Sequence, residues 1–201
     1  MQKGYSTCKV VICDVGNVIV QNYSKAIYQD IADAFGLQYE PVFAQAQSLL
    51  PQLQMGKVSV GAFFLKLARN LGKAVPKDFN ELWIRSYQGE LIKSTYDLTH
   101  KLRSKYRVAL LSNTIQPHVK VHRHKGHFND YDGVFLSCEV GLCKPQLGIW
   151  KLAAKELAVK EEECIYIDDC IDYVKSAESL GMKAVHRESE EQINEFLASL
   201  L

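Results

Sequence analysis

At 201 residues, with 47% hydrophobic and 23% charged side chains, the chain can bury one sizeable core and a small appended unit, which excludes a disordered tail. Twenty-four Lys and Arg against 23 Asp and Glu leave a formal net charge of +1, so the basic footprint of a protein that grips nucleic acid along its length is missing. The first apolar stretch, from Val10 to Val20, is interrupted by Asp14 and Asn17 and is too short and polar for a membrane span or a secretory core. No nucleic acid, no membrane and a cytoplasmic location are expected. Cysteines 8, 13, 138, 143, 164 and 170 form no CxxC pair, and Cys138/Cys143 lacks the spacing and neighbouring histidines of a zinc knuckle, so reduced thiols are expected.

In chain order, residues 9–13 are a short apolar run of the kind that forms a buried parallel strand. The segment from about 24 to 88 contains no strand candidate. Its apolar residues recur at three- and four-residue intervals over 26–35, 42–49, 60–71 and 79–87, which predicts an all-helical insert. Gly36, Pro51, Gly56 and Pro76 are expected to break these helices, and Ser59 to cap the third; Gly56 to Ser59 reads as a bend and not as a phosphate loop. Residues 107–111, 133–136 and 164–167 are further strand candidates, followed by 183–186, with helices expected over 146–158, 171–180 and 190–200. Such alternation defines an α/β class, a Rossmann-like doubly wound parallel sheet. Its core takes residues 1–20 and 90–201, and the helical insert takes 21–89, over the carboxyl edge of the sheet where open α/β folds bind ligands.

Polar residues stand at or just beyond the ends of the strands: Asp14, Ser112-Asn113-Thr114, Lys144-Pro145 and Asp168-Asp169. Each alone could cap a following helix, but parallel strands bring all four to one edge.

With Ile12-Cys13-Asp14-Val15-Gly16-Asn17-Val18, Leu110-Leu111-Ser112-Asn113-Thr114, Ser137 to Pro145, and Ile165-Tyr166-Ile167-Asp168-Asp169 in this order, the chain resembles the haloacid-dehalogenase-like hydrolase superfamily. The likeness is to its phosphatase-type members with a helical cap, and it spans nearly the whole chain. It implies catalysis by Asp14, Ser112 and Lys144, with Asp14 attacking phosphorus to give an aspartyl-phosphate. It further implies Mg²⁺ held by a carboxylate oxygen of Asp14, the main-chain carbonyl of Gly16 and an acid of the fourth strand, Asp169 in contact and Asp168 behind it. The Ser112 hydroxyl and the Asn113 amide would donate to phosphoryl oxygens, and Lys144 would hold the phosphate and keep Asp14 ionised. The implied partner is a small phosphorylated metabolite, with a sugar phosphate among the choices; monomer and homodimer both stay open.

The chain departs from the common pattern at Gly16, where most phosphatases of the superfamily carry a second aspartate that shuttles the proton, a role worth about 10²–10⁴-fold in rate. A subgroup with a similar Asp-x-Gly-Asn-Val opening includes phosphatases. Either a good leaving group makes the shuttle dispensable, or another residue supplies it; Asp172 is the candidate base, with Gln21, Asn22 and Tyr23 also close to the nucleophile in sequence. Two alternatives are carbon–halogen hydrolysis of the dehalogenase type and a phosphate-binding scaffold without turnover. The acidic pair 168–169 and the glycine at 16 favour magnesium phosphoryl chemistry over the first. His118 and His122 would share a helix face, but without a further ligand nearby the stretch 117–127 reads as a solvated basic helix. Phe63, Phe64, Trp83, Tyr87 and Trp150 are spaced as core residues, with room for a cap aromatic to line the cleft.

Overall fold

A computed structural model describes residues 5–201. Five strands, β1 (Val10–Cys13), β2 (Arg107–Ser112), β3 (Gly133–Leu136), β4 (Cys164–Asp168) and β5 (Lys183–His186), form one parallel sheet in the order β3-β2-β1-β4-β5. β1 lies at its centre, paired with β2 through Val10–Arg107 and with β4 through Val10–Cys164. Successive side chains point to opposite faces. On one face Val11, Cys13, Val108, Leu110, Ile165 and Ile167 pack under α5 (Lys93–Leu102) and α10 (Glu190–Leu200). On the other, Val10, Ile12, Ala109, Leu111 and Tyr166 pack under α8 (Gly148–Glu156) and α9 (Ile171–Glu178). The expected doubly wound class is therefore the fold. All six cysteines are free thiols.

Between β1 and β2 the chain forms α1 (Ser24–Phe35), α2 (Tyr39–Gln54), α3 (Val60–Leu71) and a single turn, α4 (Phe79–Leu82). These helices share their own apolar cluster, centred on Ile31, Phe63, Phe64, Leu67 and Trp83. Ser59 Oγ accepts the Ala62 N–H at 3.1 Å, as a helix-capping serine does. The chain leaves and returns through adjacent backbones, with Gln21 N–H donating to Glu90 O at 2.9 Å and Ile92 N–H to Ile19 O at 2.8 Å. The insert touches the core again at Gly56 (φ +66), where a Cβ would overlap the main-chain carbonyl of Cys138 in the short helix α7 (Ser137–Val140).

Three local expectations are corrected. α2 runs through Pro51 because Leu49 and Leu53 on either side are buried in the insert cluster, and that burial outweighs one missing N–H. α4 stops at Leu82, where the Ile84 and Arg85 N–H groups both turn back to Glu81 O and the Tyr87 N–H to Ile84 O, and the Trp83 carbonyl accepts from His118 Nε2 (2.8 Å). α5 has no counterpart in the apolar periodicity because its inward face is built on Thr95 and Thr99, whose hydroxyls donate to Asn194 Oδ1 and to Tyr96 O.

Candidate active site

The polar strand ends do converge. The β1/β4 ladder continues one residue past β1, with Asp14 N–H donating to Ile167 O at 2.8 Å, which sets the Asp14 side chain beside the end of β4. The Asn113 side chain grips the Lys144 backbone from both sides: Nδ2 donates to Lys144 O at 2.9 Å and Oδ1 accepts from Lys144 N–H at 2.8 Å. So held, Lys144 turns inward, 3% exposed, and its Nζ donates to Asp14 Oδ1 and Asp168 Oδ2, both at 2.7 Å. Two tyrosine rings flank the ammonium, Tyr173 at 5.0 Å and Tyr166 at 5.9 Å from Nζ to centroid.

The two acids of the pair sit differently. Asp168 is fully buried; its Oδ2 also accepts from the Tyr166 hydroxyl and its Oδ1 from the Cys170 N–H. Asp169 faces the cleft and accepts from Asn17 Nδ2 at 2.9 Å. Asp14, Asp168 and Asp169 each bring a carboxylate oxygen within 4.8 Å of the others, against the single ammonium of Lys144. Burial dominates Asp14: despite Lys144, desolvation, with the neighbouring acids adding to it, pushes its carboxyl up to about 7. The same two carboxylates hold the Lys144 ammonium above its usual range against the opposing effect of burial. Burial and the neighbouring acids thus oppose the ionisation of Asp14 that Lys144 favours. The set fits a divalent cation, whose hard charge seeks clustered carboxylate oxygens and would lower that carboxyl.

Ser112 (5% exposed), Asn113 and Gly16 line the same cleft of about 290 Å³. The Asn113 side chain is taken up by Lys144, with Nδ2 also 3.5 Å from the Tyr173 hydroxyl, so its main-chain N–H is the amide that would face a ligand. Asp172 is exposed on α9 and is not among the lining residues, which removes it as the proton shuttle. Gln21, Asn22 and Tyr23 do line the cleft, as do Tyr28, Gln54, Trp83 and Tyr87 from the insert. Phe63, Phe64 and Trp150 are core.

The basic helix α6 (Gln116–His124) is solvated on one side only. Lys120, Arg123 and His124 are exposed, whereas His118 and His122 turn inward to the cleft. His118 Nε2 is tied to Trp83 O and its ring stacks on Tyr87 at 3.8 Å; His122 is 2% exposed. Burial lowers His118 to about 4 and His122 to about 3, the latter helped by His127, so both rings are neutral near pH 7. Their shared spacing in the sequence was the signal for this pair; Tyr87 stood out there only as a helix-spaced aromatic, and Tyr166 only as part of the fourth strand.

A parallel sheet whose central strand ends in a buried, lysine-paired carboxylate, with two more acids on the neighbouring strand, defines a hydrolase-type α/β core. A match to the haloacid dehalogenase-like hydrolase family over residues 8–181 shows that the chain belongs to that family. It is 35% identical over 89 residues to drimenol cyclase drtB of Aspergillus calidoustus, a match covering 43% of this chain and 17% of that protein. It is 41% identical over 56 residues to glyceraldehyde 3-phosphate phosphatase of Methanocaldococcus jannaschii, covering 27% of this chain and 25% of that one. The matches therefore span a quarter or less of these relatives' lengths. Among solved structures, an HAD family enzyme of Bacteroides thetaiotaomicron in a magnesium complex superposes with a TM-score of 0.76 at 22% identity, over 94% of this chain and 98% of that one. Among the described residues, no helix is long and apolar enough to cross a membrane.

Proposed function

We propose that this hydrolase is a Mg²⁺-dependent phosphatase of small organic phosphate monoesters, acting through an aspartyl-phosphate on Asp14. One observation carries the reading: three clustered carboxylates face one buried ammonium at the floor of a cleft that a phosphate-sized anion can enter. Asp14, Asp169 and the Gly16 carbonyl would hold the cation, with Asp168 supporting from behind through Lys144. When bound, the cation offsets the repulsion between the Asp14 carboxylate and the phosphate and polarises the phosphoryl oxygens. Asp14 Oδ2, the oxygen not engaged by Lys144, is free to attack phosphorus in line. The Ser112 hydroxyl and the Asn113 main-chain N–H would donate to the non-bridging oxygens, and Lys144 would add its charge.

Residues 21–89 act as a cap over the core formed by 1–20 and 90–201, excluding bulk water from the phosphoenzyme. The cap side offers aromatic surface from Tyr23, Tyr28, Trp83 and Tyr87 beside the polar side chains of Gln21, Asn22, Ser24 and Gln54. This suits a compact substrate that carries oxygens beyond its phosphate for those side chains to bind. The phosphatase named among the relatives and the magnesium complex among the structural neighbours agree with the assignment.

The test is a panel of phosphorylated metabolites, sugar-1-phosphates and aryl phosphates included, assayed for phosphate release with and without Mg²⁺. Release that EDTA abolishes is expected. Halide release from 2-haloacids without a metal requirement, or phosphate binding with no turnover of any ester, would overturn the reading.

A further inference from the structure

The phosphatase reading leaves a proton unaccounted for, because Gly16 provides none. The glycine is not forced by space: a Cβ there would meet nothing nearer than Asp14 Oδ2 at 3.8 Å. The structure instead supplies a hydrogen-bonded chain on the cleft wall. Tyr87 Oη lies 2.5 Å from His122 Nε2, and His122 Nδ1 lies 3.0 Å from His127 Nδ1. Tyr87 lines the cleft, His122 is buried, and His127 is half-buried with a route to water. Gly89 (φ +57) lets the returning chain press on this unit, since a Cβ there would sit 3.4 Å from His122 Cε1 and 3.1 Å from Val121.

We propose that Tyr87, His122 and His127 form a two-way proton relay that serves, in the reaction proposed above, the leaving group first and the hydrolytic water second. In the first half-reaction the P–O bond to the leaving group breaks as Asp14 bonds to phosphorus, and the Tyr87 hydroxyl proton passes to the departing oxygen. The His122 Nε2 proton moves to Tyr87 Oη, the His127 Nδ1 proton moves to His122 Nδ1, and solvent protonates His127 at Nε2. In the second, water attacks phosphorus and breaks the bond to Asp14, giving its proton to Tyr87; the same three transfers run backwards and His127 Nε2 returns a proton to solvent. Each half-reaction leaves the hydrogen bonds in the polarity that the other requires, and the sum is ester plus water to alcohol plus phosphate.

Two further features support the assignment. The relay needs neutral imidazoles and a protonated phenol. Burial keeps His122 neutral among the groups that face it, namely His118, His127 and Lys125, and holds the Tyr87 hydroxyl above its usual range, with Tyr23 and Asp14 adding to that. His118, also on the wall, cannot do the same work, because the Trp83 carbonyl at 2.8 Å holds its Nε2 proton.

The test compares glycerol phosphate, whose leaving group needs a proton, with p-nitrophenyl phosphate, whose does not. In Tyr87→Phe, kcat/KM for glycerol phosphate should fall about 10²-fold and that for p-nitrophenyl phosphate less than about threefold. p-Nitrophenol should then appear as a burst near one per enzyme before slow turnover, because the water step has lost its base. Gly16→Asp added to Tyr87→Phe should recover most of the glycerol phosphate activity. In His127→Gln, at the solvent end, the curved proton inventory of wild-type kcat/KM for glycerol phosphate should become linear. Equal losses on both esters in Tyr87→Phe, or a linear inventory in the wild type, would refute the relay while leaving the phosphatase reading intact. A wild type that releases phosphate from no ester of the wider panel, these two included, refutes both.

Discussion

The strand ends below the cleft present Asp14, Ser112, Lys144 and Asp169, whereas the insert above contributes Tyr23, Tyr28, Gln54, Trp83 and Tyr87. Below, charged groups are desolvated and must be matched one against another at 2.7 Å, the acids at the ends of register-fixed strands and Lys144 on a loop clamped by Asn113. Above, the groups are neutral, and their places follow from aromatic packing such as Tyr28 against Trp83 at 5.9 Å. A charge out of place in the first region has no solvent to relieve it; a neutral ring in the second can shift at small cost. In the reaction proposed above the difference divides the work: attack on phosphorus belongs to the rigid floor, and substrate fit, apart from proton transfer at Tyr87, to the roof.

The contrast can be broken most sharply at Asp14. Asp14→Asn should reduce turnover by about 10⁴-fold or more while circular dichroism remains that of the wild type, since the proposed nucleophile is removed and the strand is not. Undiminished turnover would deny the floor its chemical role. Next in size, Lys144→Met leaves Asp14 and Asp168 buried without their counter-ion and should cost about 3–5 kcal/mol in urea unfolding. On the roof, Tyr28→Phe removes only a hydroxyl that accepts from Gln47 at 3.2 Å and should cost about 1 kcal/mol in the same measurement.

The histidines of the wall sharpen the comparison through pH. His118 and His122 are held below their unfolded value near 6.5, so the unfolded chain binds more protons in acid, and stability is lost as pH falls from about 6.5 toward 4 and 3. The expected slope within that window is about 1.4 kcal/mol per pH unit for each ring. His122→Phe should flatten it by about one ring's share in urea titrations at several pH values. The smallest effect belongs to substrate fit: Gln54→Ala should raise KM about fivefold with kcat little changed, the worth of one net hydrogen bond of about 1 kcal/mol. A large fall in kcat there would erase the division between floor and roof.

The class of sheet and the convergence of its polar ends were legible in the amino-acid order because parallel strands impose them. Four buried apolar runs, each with a polar residue at or soon after its end, have one arrangement that buries the first and gathers the second. The helical character of the insert was equally legible, and Ser59 marked one helix start. What depended on contacts between distant segments was not. Pro51 stays helical through the burial of its neighbours, α4 gives way to turns where the Trp83 carbonyl meets His118, and Asn113 spends its side chain on Lys144. Periodicity and motif order report what each residue prefers locally, so they located Asp14, Lys144 and Asp169. Whether a histidine on a basic helix meets water or a buried tyrosine is decided by desolvation and packing across 35 residues of chain, and only the tertiary structure holds that information.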